Sequence, residues 1–357
     1  MNLEVLDEQR SISPMETCLP SQFYLAGKTM SSSAALLGRG LLFCCAALAI
    51  ADGAAAQSRR KKQLTAPDWS VVETALGRKG TTSPGGVVRF GFPRSDLNVV
   101  LHGVTLKPAL ALGSWVAFKR IADHAMVMGD LVLLETEVTT VMASLQQNGV
   151  DQTALHNHLL GESPRVMYMH IHAIGNPQRI AKAVRTALEF TNTPLGSASS
   201  ASPTPGPTST LTPTLIAPTI DTATVAKTLG VIGKTNGGVY QLSVPRRERI
   251  CDEGQEILPA MGVATAMNFQ PTVGGKAAIT GDFVLLGREV NPVLWTLNEN
   301  GIEVTAIHTH MVDEQPRLYF MHFWAVDDAA KLARGLRAAL DRTNRRVPSS
   351  KPRPCKR

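Results

Sequence analysis

TALHNHLLGESPRVMYMHIHAIGNPQRIAKAVRTAL (residues 153–188) and TAIHTHMVDEQPRLYFMHFWAVDDAAKLARGLRAAL (residues 305–340) decide the fold. The two stretches align without gaps at an offset of 152 residues, and 14 of their 36 positions are identical. The offset holds upstream. GDLVLLETEV at 129 lies over GDFVLLGREV at 281, and GGVVRFGFPR at 85 over GGVYQLSVPR at 237. A unit of domain size is therefore written twice. Its period is too long for a solenoid repeat. Seven of the nine histidines fall inside the two stretches.

Working outward, residues 62–193 form the first repeat and 221–344 the second. Between them, 194–220 is rich in Pro, Ser and Thr. Such a segment buries too little apolar surface to offset its ordering entropy, so it reads as a linker. Within the first unit VVRFGFP, LNVVLHGVTL, WVAFKR and HAMVMGDLVLL read as strands punctuated by Gly and Pro. EVTTVMASLQQNG places Val138, Val141, Met142 and Leu145 at helical spacing, with Gly149 as a stop. NPQRIAKAVRTALEF closes the unit as an amphipathic helix, with Pro177 near its start and Ile180, Ala183, Val184, Ala187 and Leu188 on one face. The expected class is α+β: two tandem homologous domains, each a mainly antiparallel sheet with helices packed on one face.

The histidines follow the period of a strand. Residues two apart point to the same side, so His156 and His158 face together, as do His308 and His310. Their Cα atoms lie roughly 7 Å apart, within reach of one ion. After a turn come His170 and His172 in the first unit, and His322 and Trp324 in the second. If His156 or His158 lies opposite His170, every even-numbered histidine shares a face. Leu155, Leu159, Met167, Met169 and Ile171 then share the other, apolar face, with Ile307, Met311, Tyr319, Met321 and Phe323 as counterparts. A one-residue slip would separate His170 from the first pair. Neutral imidazole suits zinc, copper, iron and nickel, and an added carboxylate suits manganese or iron. The expectation is a divalent transition metal, zinc first, on His156, His158, His170 and His172 and on His308, His310 and His322. The competing reading is a row of polar residues on an exposed face. Glu162 and Glu314 in the turns are candidate fourth ligands or general bases for metal-assisted hydrolysis. The alternative function is a non-catalytic module that binds an envelope ligand or has a structural role.

Arg165 and Arg317 follow Pro in both units and are candidates for holding an anionic substrate. Arg94 with Asp96, and Arg246 with Glu248, read first as salt bridges. Asp130 and Asp282 follow Gly and read as turn residues. Glu137 and Glu289 stand where a helix begins, and a favourable helix-end charge accounts for them. HNHLLGE and HTHMVDE also resemble the first metal motif of cupins over seven positions, although a helix just before the motif is unlike a cupin barrel.

Residues 1–56 read as a leader. From Met30, Arg39 precedes an apolar run at 41–51, and Ala54–Ala56 supply an A-x-A cleavage site, the order of a signal peptide. The run is about half of what a bilayer span needs, so no transmembrane helix is expected in the mature chain. Cleavage near Ala56 leaves Cys251 and Cys355, which indicate no disulfide framework and no metal-ligand spacing. The formal net charge of +7 is concentrated in RRKK at 59–62 and in a basic tail at 345–357. That tail suits contact with an anionic surface, and without interleaved aromatics it does not suit nucleic acid. The expected partner is an unidentified ligand or cell-envelope component.

ALGRKG, GGVVRFGFPRSDL, GVTLKPALALGSWVAF, MVMGDLVLLETEV and TALHNHLLGESPRVMYMHIHA together resemble the bacterial LppY/LpqO family of exported proteins. The resemblance spans roughly 65–190 and 222–343. It implies a periplasmic or secreted location, often as a lipoprotein, and a domain of unknown function. It brings no catalytic residues. A clear lipid-attachment motif is missing here.

Overall fold

The two repeats fold into matching series of elements, with a 3-10 turn at Pro259–Met261 in the second where the first has a short helix. The computed structural model describes residues 68–196 and 219–345. The leader and most of the linker and basic tail lie outside the described residues. The first repeat runs α1 (Ser70–Leu76), β1 (Thr81–Ser83), β2 (Val87–Pro93), β3 (Val100–Leu101), β4 (Val104–Thr105), α2 (Pro108–Ala111), β5 (Gly113–Ile121), β6 (His124–Leu134), α3 (Glu135–Gln147), β7 (Asp151–His156), β8 (Val166–Gly175) and α4 (Pro177–Leu188). The second runs α5 (Thr222–Leu229), β9 (Lys234–Asn236), β10 (Val239–Pro245), β11 (Ile250–Asp252), β12 (Gln255–Ile257), β13 (Ala264–Pro271), β14 (Ala277–Leu285), α6 (Gly287–Glu299), β15 (Glu303–His308), β16 (Tyr319–Asp327) and α7 (Ala329–Leu340). LNVVLHGVTL forms only the small β3–β4 hairpin, because its Gly and His at the turn both take positive φ.

Each repeat builds a six-stranded antiparallel sheet, in the order β1-β2-β5-β6-β8-β7 and, mirrored, β15-β16-β14-β13-β10-β9. These are open sheets and not a cupin barrel. Alternation along the strands divides the side chains into two sets. Odd residues of β6 and β8, such as Val127, Leu131, Met169 and Ile171, pack under α1, α3 and α4. Met321 and Phe323 pack under α5, α6 and α7. The helix faces are those read from the periodicity: Ile180, Ala183, Val184, Ala187 and Leu188 of α4 are all buried in the first core. Burying each larger aliphatic or aromatic side chain contributes roughly 1.5–3 kcal/mol.

The even-numbered faces are buried too, because the two repeats pack sheet against sheet. Met126 and Met128 share a cluster with Ile257, Met261, Met311 and Phe320 of the second repeat. Across the centre, Leu110, Val132, Leu159 and Tyr168 share one with Val239, Ala278 and Trp324. The layers therefore run helices, sheet, sheet, helices, and both repeats fall in one compact unit. Leu159 and Met311, expected under the helices, belong to these inter-repeat clusters, and Leu155 and Ile307 on the edge strands are exposed.

Two other expectations change. Asp130 and Asp282 do not make turns; each lies inside a long central strand, β6 or β14. The preceding glycines allow it. A Cβ on Gly281 would stand 1.9 Å from the Ala266 carbonyl oxygen, and one on Gly129 would stand 2.8 Å from that of Trp115. Cys251 is disulfide-bonded, a pairing that depends on approach in space and not on spacing along the chain.

Candidate metal centre

The edge hairpin places the histidines by a local irregularity. Asp151 and Gln152 pair with His172 and Ile171, and the register then shifts, so that Ala154 lies opposite His170 and His156 opposite Tyr168. Thr153 is the extra residue. In the earlier register even residues of β7 would face odd residues of β8; after the bulge, even faces even. Thr305 does the same between Val304 and Ala306, bringing Ala306 opposite His322. His170 is thus opposite Ala154 instead of His156 or His158. That displacement is even, so the shared face survives. Each bulged threonine also ties the repeats together. Thr153 Oγ1 donates to the His310 carbonyl at 2.6 Å, and Thr305 Oγ1 to the His158 carbonyl at 2.5 Å.

Sheet-to-sheet packing then brings six imidazoles together. His156, His158 and His170 come from the first repeat, and His308, His310 and His322 from the second. They meet as three face-to-face pairs: His156 on His308 at 3.5 Å between centroids, His158 on His322 at 3.7 Å, and His170 on His310 at 3.6 Å. Tyr168 backs His158 at 3.3 Å and Phe320 backs His310 at 3.5 Å. Within each repeat, the neighbouring rings of the triad lie 4.9–5.1 Å apart.

The nitrogens face one another with little else to bind. Ligand atoms of His156, His158 and His322 lie within 4.8 Å of one another, as do those of His156, His170 and His310, those of His308, His310 and His322, and those of Asp130, His158 and His170. Nε2 of all six is buried without a hydrogen-bond partner among the described residues. Nδ1 of His156, His308 and His322 lies 3.2, 3.3 and 3.0 Å from the carbonyls of Asn157, Thr309 and Gly281. A carbonyl can only accept, so Nδ1 carries the proton and Nε2 keeps its lone pair. Burial, reinforced by the His308 imidazole, drives His156 down to about 3. Burial takes His308 to about 4 and holds His158, His170, His310 and His322 well below the ordinary histidine range. All six are neutral at pH 7, the form that coordinates metal.

Two carboxylates join this face. Asp130 is directly opposite His170, and Asp282 opposite His322. Burial and then the Asp282 charge push Asp130 up to about 8; burial pushes Asp282 up to about 7. Asp130 Oδ1 is buried without a partner, 4.0 Å from His170 Nε2. With the carboxyl raised and the imidazole lowered, that contact is not an ion pair at neutral pH. Arg89 offers a compensating charge; it stacks over Trp115 at 3.8 Å and donates to the Ala260 carbonyl at 3.2 Å. A cavity of ≈ 10 Å³ borders His170 and His310, room for about one water. The sequence signal for the aspartates was the duplicated Gly-Asp inside a long apolar run, which suits a strand and not a turn.

The remaining candidates stand elsewhere. His172 is buried with Nε2 unpartnered but joins none of the four ligand groups. It lies opposite Asp151 and Met128, and its counterpart Trp324 fills an apolar cluster. Glu162 and Glu314 are buried in the hairpin loops and also fall outside those groups. Glu314 accepts from the Leu318 amide at 2.7 Å and from Arg317 at 3.2 Å. Arg317 also donates to the carbonyls of Met311 and Val312, and Arg165 lies 3.5 Å from Glu135. Arg94 is fully buried and donates to Glu137, Asp96 and the Val132 carbonyl. Arg246 does the same with Glu289, Glu248 and the Val284 carbonyl. Both are structural ties.

No curated protein matches the sequence. Among solved structures, the trimeric bacterial microcompartment shell protein PduB is 12% identical over 74% of this chain and 89% of its own, with a TM-score of 0.20. EtuB from Clostridium kluyveri is 10% identical over 73% and 88%, with a TM-score of 0.17. Residues 70–190 and 223–342 each match the family described as "Domain of Unknown Function (DUF1259)", and this chain, most of which lies in the two matches, belongs to that family as a tandem duplicate.

Proposed function

We propose that this protein binds a divalent transition metal at the centre shared by its two repeats, with His156, His158, His170, His308, His310 and His322 as ligands. One observation carries the reading: six neutral imidazoles converge with buried, unpartnered Nε2 atoms. An unmade hydrogen bond at a buried polar atom costs about 1–3 kcal/mol, and a metal ion removes that cost at several atoms together. Imidazole donors suit zinc, copper, nickel and iron, and zinc is the ion proposed. The closed setting suits tight holding of the ion.

Metal-assisted hydrolysis is the second reading. It is favoured by the one-water cavity against His170 and His310, where a bound ion would lower the pKa of its water. Glu162 and Glu314 would then be the candidate general bases, and Arg165 and Arg317 the candidates for holding an anionic substrate. The resemblance to LppY/LpqO proteins and the signal-like leader support an envelope or secreted location, with the basic tail toward anionic surface polymer. No helix among the described residues is long and apolar enough to cross a membrane.

Elemental analysis of the purified chain, stripped and reloaded with zinc, tests the proposal. Bound zinc that His156→Ala and His308→Ala abolish, with the fold retained by circular dichroism, is the expected result. A wild-type chain that retains no transition metal overturns it.

A further inference from the structure

Six imidazoles exceed what one tetrahedral zinc takes, and they come as two related triads. In each repeat one histidine, His156 or His308, stands on the axis that relates the repeats. It is stacked on its counterpart at 3.5 Å. The other two of each triad, His158 with His170 and His310 with His322, bring ligand atoms within 4.8 Å of each other. Asp130 completes the first set: a carboxyl oxygen lies within that same distance of the His158 and His170 nitrogens, and its Oδ1 is buried with no hydrogen-bond partner among the described residues. Asp282 takes the matching place opposite His322 in the β14–β16 pairing.

The carboxyls point the same way. Two are buried in one centre, and among the described residues Arg89, whose counterpart in the second repeat is Gln241, is the cation that bears on both. Paired imidazoles are spaced 3.5–3.7 Å apart across the repeats. Two-metal sites place their ions close together, about 3.5–4 Å apart, and this stacking sets the two groups of ligands side by side.

We infer that the centre takes two divalent ions, one on Asp130, His158 and His170, the other on His308, His310 and His322, with His156 and Asp282 beside them. This rests on the metal reading above and adds the stoichiometry, the carboxylate ligand and the proximity of the ions. Imidazoles with a carboxylate also admit manganese or iron.

The test titrates the metal-stripped full chain with Zn²⁺ and, separately, Mn²⁺. Expected are two equivalents of zinc by elemental analysis after desalting, and a Mn²⁺ paramagnetic resonance signal weakened by coupling between neighbouring ions. Asp130→Asn and Asp282→Asn should each lower the zinc count to about one or weaken one binding step at least tenfold. If either variant fails to fold, the wild-type Mn²⁺ signal still decides. Saturation of the wild type at one equivalent, or two uncoupled ions with both variants unchanged, overturns the two-ion centre while leaving metal binding intact. No bound metal in any form overturns both.

Discussion

Acid is the sharpest probe of the buried histidines. The suitable protein is the Asp130→Asn, Asp282→Asn double variant, stripped of metal with a chelator and shown to be folded by near-ultraviolet circular dichroism. His156 and His308 have folded values of about 3 and about 4. In the unfolded chain each returns to roughly 6.5. Because the folded values are lowered, the unfolded state binds protons that the fold refuses, so stability is complete above about pH 7 and falls as pH drops through 6.5. At pH 5 each group costs about 2 kcal/mol, and the two together cost roughly 4 kcal/mol. His158, His170, His310 and His322 are lowered as well and push in the same direction. That is a large share of the 5–15 kcal/mol typical of a folded domain. Urea unfolding at pH 7 and pH 5 measures it. In the wild type the effect is smaller: Asp130 and Asp282 have raised values, hold protons that the unfolded chain releases, and favour the fold as pH falls from about 8 toward 4. A drop of less than about 1 kcal/mol in the double variant would mean that the imidazoles are solvated in the fold, and the reasoning about the centre would fail.

Two further outcomes test the scaffold. Thr153→Val with Thr305→Val removes the two hydroxyl bonds that cross between the repeats, and urea unfolding should show a loss of about 1 kcal/mol for each. Gly281→Ala should destabilise by more than about 2 kcal/mol in a thermal melt, because its Cβ would stand 1.9 Å from a carbonyl oxygen of the neighbouring strand. Gly91→Ala, with nothing within 4 Å of the added atom, is the control and should cost less than about 1 kcal/mol.

Much of the chain's organisation was legible from local pattern. The duplication, the α+β class, the helix face of Ile180, Val184 and Leu188, and the even-numbered face of the histidines all follow from periods of 2 and 3.6, which the chain carries locally. Three features did not follow. Repeat-to-repeat packing joins residues about 150 positions apart across a linker, and periodicity holds no information on that docking. The Gly-Asp pairs looked like turn chemistry, because the close approach that requires Gly129 and Gly281 exists only once β5–β6 and β13–β14 are paired. Register was the third, since a single extra residue at Thr153 or Thr305 decides which face meets which.

What the sequence determined by itself was therefore the histidines of two neighbouring strands in each repeat, His172 among them, and the side of the sheet they take, since that side is a consequence of backbone alternation. The tertiary structure alone decided that the two triads stack on one another, that Asp130 and Asp282 join them while Glu162 and Glu314 do not, and that the centre is buried. The reason is physical: the position of an imidazole within its strand is set by local geometry, whereas its neighbours across the interface are set by how two apolar sheet faces exclude water from each other.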